Sequence, residues 1–304
     1  MPRAASTSTN HRPGRRRWRS ALTGGALLAT ALAPWAAPAR AADGAATGPY
    51  VALGDSYAAG AGIPAASGGL CLRSDHNYGH LLAADLRTSA YRDVTCAGAK
   101  VSALSAAQTD AGIPVNGPQL DAVSRETGLV TLTVGGNDLG TSDLGFVDAV
   151  ALCTALAPTN PFGAPCRDHY KDTLGTRLDA AAPRLTQALR TIRERAPHAR
   201  VLVVGYPSVI PADAKRCLGK LPVTTGDITY LRSVLGELNS MVSRAATAGG
   251  ATYVDTLGPT EGHDGCSAEP WIESLLPASP TLPLHPNTTG ERVMADAVLR
   301  TLGR

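Results

Sequence analysis

The stretch YVALGDSYA, residues 50–58, places an apolar run directly before Gly54, Asp55 and Ser56. The run at 50–53 has the length and composition of a buried β-strand. Gly, Asp and Ser are common turn residues, and Asp55 is interpreted as support for the turn. A serine at the carboxyl end of a strand also lies where open α/β sheets place their functional groups. The stretch is therefore either an ordinary turn or the site of a nucleophile.

Runs typical of strands alternate with helical patterns along the rest of the chain. The predicted strands are 50–53, 93–96, 129–134, 200–204 and 251–254. The predicted helices are 77–87, 119–126, 174–195, 227–248 and 289–302. Leu178, Leu185, Leu189 and Ile192 recur at helical spacing, which indicates one apolar face. The alternation predicts an α/β fold with a central parallel sheet of about five strands between two helix layers.

Two long stretches, 139–170 and 257–284, interrupt this alternation and are interpreted as loops. Long loops inside a compact domain are often functional, although surface decoration held by disulfides explains them equally well. Their larger apolar residues would make either a groove for a fatty chain or ordinary loop packing. These residues are Phe146, Phe162, Trp271, Leu275 and Leu276.

The N-terminus differs in composition from the remainder of the 304 residues. Arginines at 12–19 precede a short apolar segment at 21–33 and the sequence Ala39-Arg40-Ala41. This order is typical of a secretory signal with its cleavage site, and the apolar segment is too short for a membrane span. We expect cleavage after Ala41, leaving 42–304 as a single secreted, extracellular domain. The paired arginines leave open whether the general or the twin-arginine export route is used.

The charge of the chain is dominated by this leader. Residues 1–41 contain seven of the 28 basic residues and no acidic residue, so 42–304 has 21 basic and 25 acidic residues and a formal charge of −4. A mature chain without a basic tract gives no support for nucleic-acid binding.

All six cysteines lie in the mature part of the chain. An even number in an exported protein predicts three disulfides, and six cysteines allow 15 pairings. We favour the sequential pairing, because Cys153 and Cys166 close a short loop. The other two pairs would then be Cys71–Cys96 and Cys217–Cys266. No Cys-x-x-Cys pair indicates zinc, and we expect no metal site.

Four short motifs fall at the ends of predicted elements. Ser56 follows the first strand, Gly98 the second and Asn137 the third, and His285 precedes the last helix. The carboxyl ends of parallel strands lie at one edge of a sheet, so these residues are expected to converge there. Each also has a structural explanation: a turn at Gly98, a cap at Asn137 and a surface histidine before a proline.

Together the motifs resemble those of the SGNH, or GDSL-type, hydrolase family. ALGDSYAAG at 52–60, CAGAK at 96–100, VGGND at 134–138 and LHPN at 284–287 resemble its first, second, third and fifth blocks. The resemblance implies a flavodoxin-like three-layer sandwich, Ser56 as nucleophile and His285 as base. It also implies an oxyanion hole made of the Ser56 and Gly98 N–H groups and the Asn137 side chain.

The activity implied by this resemblance is that of a secreted lipase or esterase without a cofactor. A serine activated by an imidazole, with donors aimed at the developing oxyanion, suits ester cleavage through an acyl-enzyme. The alternatives are a phospholipase A1 and a catalytically silent binding module. We expect an ester or lipid as partner, transient contact with lipid surfaces, and a monomer.

The chain departs from the family pattern beside His285. Members usually carry an aspartate three residues before this histidine, whereas this position is Leu282. The resemblance to secreted actinobacterial esterases that use a backbone carbonyl instead implies a Ser-His dyad. The carbonyl of Leu282 or Pro283 would then orient the imidazole. The open alternatives are the carboxylates of Asp255, Asp264 and Glu273.

Overall fold

The computed structural model describes residues 48–67, 69–88, 90–110 and 112–304. The secretory signal predicted at 1–41 lies outside these residues. The described chain contains one five-stranded sheet. Its strands are β1 (Tyr50–Gly54), β2 (Tyr91–Asp93), β3 (Leu129–Thr133), β4 (Arg200–Val204) and β5 (Thr252–Val254). Two short antiparallel ribbons lie outside it, Ala66–Ser67 with Arg73–Ser74 and Gln108–Asp110 with Ile113–Asn116.

All pairings in the sheet are parallel, and the strand order is β2-β1-β3-β4-β5. Tyr50 of β1 lies opposite Tyr91 on one side and Leu129 on the other. This is the flavodoxin-like order, in which a crevice opens at the carboxyl ends of the strands where the winding direction reverses. The predicted α/β fold is confirmed, and β1 lies at that switch point.

Seven α-helices surround the sheet in the described chain. They are α1 (Ser56–Ala59), α2 (Tyr78–Leu86), α3 (Phe146–Leu156), α4 (Pro165–Tyr170), α5 (Thr173–Arg195), α6 (Thr225–Ala248) and α7 (Thr288–Thr301). Side chains that alternate along the strands face two apolar clusters. One contains Val51 and Leu53 with α5 and α6, and the other contains Tyr50 and Ala52 with α2 and α7. No helix among the described residues is long and apolar enough to cross a membrane.

Two predicted elements differ from the structure. The second strand ends at Asp93 rather than spanning 93–96, although Val94 and Cys96 still donate their N–H groups to carbonyl oxygens of β1. The helix predicted at 119–126 is a short 3-10 turn, Gln119–Ala122. The buried Gln119 amide bonds both the N–H and the C=O of Gly54, at 2.7 and 2.9 Å. Gln119 therefore holds the end of β1 at Gly54 by hydrogen bonds and does not lie on a solvent-facing helix.

The stretch at 139–170, interpreted as a loop, contains α3 and α4 joined by the Cys153–Cys166 disulfide. Helix α3 buries four residues at spacings of three and four: Phe146, Ala149, Val150 and Cys153. This periodic signal is present in the sequence, but it is obscured by the glycines and prolines on either side. Helix α3 lies beside the strand ends, where its Val147 lines a cleft in front of Ser56.

Candidate active site

Three successive residues, Gly54, Asp55 and Ser56, form the turn between β1 and α1. Gly54 ends β1 with a φ of +134°, and a β-carbon there would lie 2.4 Å from the carbonyl oxygen of Thr133 on β3. Asp55 is the N-cap of α1, and its Oδ1 accepts the Tyr57 N–H at 3.0 Å. Ser56 is consequently the first residue of α1, where its own N–H has no acceptor within the helix. Only glycine fits the close approach that turns the chain here.

Ser56 and His285 meet at this edge of the sheet although 229 residues separate them. The distance from Ser56 Oγ to His285 Nε2 is 2.6 Å, and the two residues are 6% and 5% exposed. His285 lies in the turn before α7, whose N-cap is Asn287. The imidazole is thus within direct proton-transfer distance of the hydroxyl.

The other imidazole nitrogen, Nδ1, contacts a backbone carbonyl. It lies 2.7 Å from Pro283 O, and this contact fixes Nδ1 as the protonated nitrogen and Nε2 as the acceptor. The sequence left the carbonyls of Leu282 and Pro283 as equal candidates for orienting the imidazole. The Leu282 carbonyl does not contact the ring, so that candidate is wrong. Leu282 O accepts the backbone N–H of His285 at 3.2 Å, because the chain folds back in a tight turn.

The three carboxylates that the sequence left open have other partners. Asp255 Oδ1 accepts the Leu257 N–H, and Asp264, which is fully buried, pairs with Arg216 at 3.4 Å. Glu273 accepts hydrogen bonds from the Asn287 side chain and the Ala278 N–H, both at 2.9 Å. None of them contacts the His285 ring. Glu273 instead meets His285 through the backbone, where its N–H donates to the His285 carbonyl.

Burial sets the protonation state of His285. It lowers the pKa of the imidazole to about 4, and the hydrogen bond to Pro283 O opposes this shift only in part. The ring is therefore neutral at neutral pH and ready to accept the Ser56 proton. Accepting the proton costs free energy, because the resulting imidazolium is a buried charge that no carboxylate among the described residues contacts.

Three N–H donors line the same cleft as Ser56 and His285. Asn137 lies in the 3-10 turn after β3, and its Nδ2 donates to Ala99 O at 3.0 Å, which leaves its second hydrogen free for a ligand. Gly98 has a φ of +76° in a turn closed by the Ala99 N–H and Cys96 O. Among the described residues, the N–H groups of Ser56 and Gly98 donate to no protein acceptor. Such an arrangement suits a developing oxyanion.

Gln108 is a site residue that the sequence interpretation missed. Its Nε2 donates to Ala97 O at 2.7 Å. Ala97 O and the Gly98 N–H belong to one planar peptide group and point in opposite directions. A hydrogen bond that fixes the carbonyl therefore fixes the direction of the Gly98 N–H. No sequence signal marks Gln108, which comes from a two-stranded ribbon outside the main sheet.

Tyr206 and Tyr57 connect the elements behind the nucleophile and were also missed. The Tyr206 hydroxyl donates to Asp55 Oδ2 and accepts the Gly136 N–H, which links the ends of β1, β3 and β4. Burial raises the pKa of Asp55 to about 7. The Tyr57 ring lies against His285. A tyrosine two residues after the end of the fourth strand is the one sequence signal available for Tyr206.

The cleft in front of Ser56 has a volume of about 330 Å³. Its apolar walls are Leu70, Leu72, Val115, Leu144, Val147 and Leu282. The sequence left open whether Phe146, Phe162, Trp271, Leu275 and Leu276 form a groove, and none of these five residues lines this cleft. Phe146 is buried behind Ser56 in a space of about 10 Å³, enough for one water, and Phe162 is fully exposed. Apart from Val147 of α3, the walls come from short ribbons and turns with weak sequence signals.

Three disulfides hold the loops around the site, in sequential pairing. They are Cys71–Cys96, Cys153–Cys166 and Cys217–Cys266. The first ties the turn of Leu72, a cleft residue, to the turn that carries Gly98. Among the described residues, no three His, Cys, Asp or Glu side chains are grouped as metal ligands.

The chain is similar to known lipases in both sequence and structure. Residues 52–293 match the GDSL-like Lipase/Acylhydrolase family. Lipase 2 of Streptomyces coelicolor is 45% identical over 277 residues, covering 88% of this chain and 89% of that protein. The crystal structure of phospholipase A1 from Streptomyces albidoflavus NA297 has a TM-score of 0.68 at 28% identity, covering 84% of this chain and 99% of that one. The extracellular lipase from Streptomyces rimosus has a TM-score of 0.67 at 25% identity, covering 84% and 100%. The chain belongs to the GDSL-like lipase/acylhydrolase family.

Proposed function

We propose that this chain is a secreted lipase or esterase that cleaves carboxylic esters with a Ser56–His285 dyad. Carboxylester hydrolysis is the reaction class of the family to which it belongs. The observation that carries the proposal is the 2.6 Å contact between Ser56 Oγ and His285 Nε2 at the base of an apolar cleft.

The proposed mechanism assigns each contact a step. Ser56 Oγ attacks the ester carbonyl carbon while its proton passes to His285 Nε2, and the carbonyl oxygen becomes an oxyanion. The N–H groups of Ser56, Gly98 and Asn137 stabilise that charge. His285 then protonates the leaving alcohol, and water attacks the acyl-enzyme by the same route in reverse. Pro283 O holds the imidazole in the required tautomer throughout.

The cleft supports an apolar acyl group. Its leucine and valine walls can bury a chain, and each buried methylene is worth about 0.8 kcal/mol. Leu70 and Leu144 also reach solvent, at 60% and 59% exposure, so the mouth of the cleft is apolar on its outer side. We therefore expect transient contact of this rim with lipid surfaces.

Phospholipase A1 activity is the second candidate. It is favoured by the TM-score of 0.68 to the Streptomyces albidoflavus phospholipase A1 over 84% of this chain. Secretion is supported by the predicted signal at 1–41, by the three disulfides, and by the description of the Streptomyces rimosus relative as extracellular. A monomer is expected, which size-exclusion chromatography measures directly.

A serine-directed fluorophosphonate tests the enzyme against a silent binding module. The purified wild type should be labelled, and Ser56→Ala should not. Ser102→Ala, a change at an exposed serine away from the cleft, is the matched control and should label normally. Labelling that persists in Ser56→Ala would assign the nucleophile elsewhere, and an unlabelled wild type would favour the binding module.

Substrate preference is tested with p-nitrophenyl esters from acetate to palmitate, together with a triacylglycerol and a phosphatidylcholine. Leu144→Asp should lower activity on long-chain esters and emulsified lipid more than on the acetate. Leu218→Asp is the control, because Leu218 is 65% exposed but does not line the cleft. Equal effects of the two changes, or equal losses on short and long esters, would contradict the assignment of the cleft to the acyl chain.

A further inference from the structure

The residue directly after the nucleophile lies against the general base. The ring of Tyr57 stacks on the imidazole of His285, with centroids 4.4 Å apart and planes inclined by 30°. Tyr57 is 6% exposed and His285 5%, so little water reaches this contact. A cation within about 6 Å of an aromatic centroid is attracted to the face of the ring, most strongly where water is excluded.

The position of the Tyr57 ring is fixed from two further directions. Its hydroxyl donates to Leu284 O at 2.6 Å. Leu284 has a φ of +61°, a left-handed conformation that is unusual for leucine, and it immediately precedes His285. Tyr206 meets the Tyr57 ring edge-on, with centroids 5.0 Å apart. One side chain therefore holds the turn that carries the base and also covers the base itself.

The base has little other help when it becomes charged. Within the described part of the chain, the ring of His285 contacts no carboxylate, and its Nδ1 has only the Pro283 carbonyl. The nearby carboxylate of Asp55 already accepts hydrogen bonds from the Tyr57 N–H and the Tyr206 hydroxyl. Burial lowers the pKa of His285 to about 4, because the imidazolium loses its contact with water and the Pro283 carbonyl restores only part of that stabilisation.

We propose that Tyr57 is a positioning residue whose ring face stabilises the His285 imidazolium in the transition state by a cation–π interaction. It supplies part of what a carboxylate supplies in a Ser-His-Asp triad. The inference rests on the proposed function, in which the proton moves from Ser56 Oγ to His285 Nε2 as the new bond from Oγ to the carbonyl carbon forms. Tyr57 neither gains nor loses a proton, because burial raises the pKa of its hydroxyl.

The test changes the electron density of the aromatic ring while its shape stays nearly constant. Tyr57→Phe is the parent, and fluorinated phenylalanines with one, two and three ring fluorines are introduced at the same position. Each fluorine weakens the negative face of the ring. We expect kcat for a soluble p-nitrophenyl ester to fall stepwise by about tenfold over the series. KM should stay within about twofold, because Tyr57 does not line the cleft in front of Ser56.

A purely steric role for Tyr57 predicts a different result. The fluorinated rings pack almost alike, so kcat would then be the same across the series, and that outcome overturns the inference. Tyr57→Phe also removes the hydrogen bond to Leu284 O and can lower stability. The series is therefore repeated with Tyr57 replaced by fluorotyrosines, which keep the hydroxyl, and thermal unfolding is measured for every variant. A flat kcat in the hydroxyl-bearing series overturns the inference whatever the phenylalanine series does.

Different outcomes test the Ser56–His285 dyad and the role of Tyr57. If Ser56→Ala or His285→Ala retains wild-type turnover, the proposed dyad fails. If both changes abolish turnover while kcat is insensitive to ring fluorination, the dyad stands and only the role of Tyr57 falls. An NMR titration of the His285 ring gives the second readout: its pKa should decrease with each added fluorine, since the charged form loses a partner.

Discussion

The clearest prediction concerns the pH dependence of catalysis. His285 must be neutral to accept the Ser56 proton, and burial lowers its pKa to about 4. At about pH 5.5 such an imidazole is still about 97% neutral, whereas one with an ordinary pKa near 6.5 is only about one-tenth neutral. We therefore expect kcat/KM to stay close to its plateau at about pH 5.5 and to fall by half only near pH 4.

The assay follows kcat/KM for a short p-nitrophenyl ester in buffers of constant ionic strength, with circular dichroism to establish that the protein stays folded. Asp55 also titrates between neutral pH and the acid limb of His285, because burial raises the pKa of Asp55 to about 7. Asp55→Asn, which keeps an acceptor at the cap of α1, separates its effect from that of His285. His80→Gln, at an exposed histidine, is the control. An acid limb between about pH 6 and 7 that persists in Asp55→Asn would refute the reasoning.

The same pKa has a consequence for stability. A group whose pKa is lowered by folding contributes stability above its unfolded pKa and loses it as the pH falls through the folded pKa. For His285 this window runs from 6.5 down to about 4. Each tenfold change in proton affinity is worth about 1.4 kcal/mol, so the loss is about 3 kcal/mol. The free energy of unfolding of the wild type should fall by this much more than that of His285→Gln between neutral pH and about pH 4.

Three further predictions follow from the site. Asn137→Ala should lower kcat by about 10²-fold to 10³-fold, with little change in thermal unfolding, and near-normal kinetics would remove Asn137 from the oxyanion hole. Asp255→Asn, Asp264→Asn and Glu273→Gln should each keep turnover in whatever fraction remains folded, since none of these carboxylates touches the His285 ring; abolished turnover in a folded variant would replace the Pro283 carbonyl. Gln108→Met removes the hydrogen bond to Ala97 O at 2.7 Å, so kcat should fall about tenfold with KM unchanged, and a change in KM alone would mean that Gln108 binds substrate instead.

Much of the fold could be predicted because its signals are local. Strand β4 at Arg200–Val204 is a compact apolar run, and α5 carries an apolar face that repeats at helical spacing. Such segments fold in the same way wherever they pack. The meeting of Ser56 and His285 could be predicted for a related reason, since each lies at the end of an element in a recognisable motif. Parallel topology then brings the two residues to one edge of the sheet.

The remainder depends on contacts that leave no local trace. The carbonyl of Pro283 contacts the imidazole across a turn in which Leu284 adopts a left-handed conformation, and the sequence does not indicate this conformation. The cleft walls come from distant short pieces, such as Leu70 and Val115, whose apolar side chains look like ordinary loop residues in the sequence. The amide of Gln108 acts through a backbone peptide, so its role becomes visible only once the turn at Gly98 is in place.

The burial of His285 is related to the use of a backbone carbonyl, rather than a carboxylate, beside its imidazole. A carboxylate beside His285 would favour the imidazolium in the resting enzyme as well as in the transition state, and would raise the pKa of the base. A carbonyl dipole and an aromatic face carry no net charge, so they add no buried anion to the site. Their attraction for the ring increases when the proton arrives from Ser56. The Pro283 carbonyl and the proposed Tyr57 ring face also favour the imidazolium, but less strongly than a carboxylate, so burial keeps the resting imidazole neutral. Their attraction is larger in the transition state than in the ground state, and only such interactions accelerate the reaction.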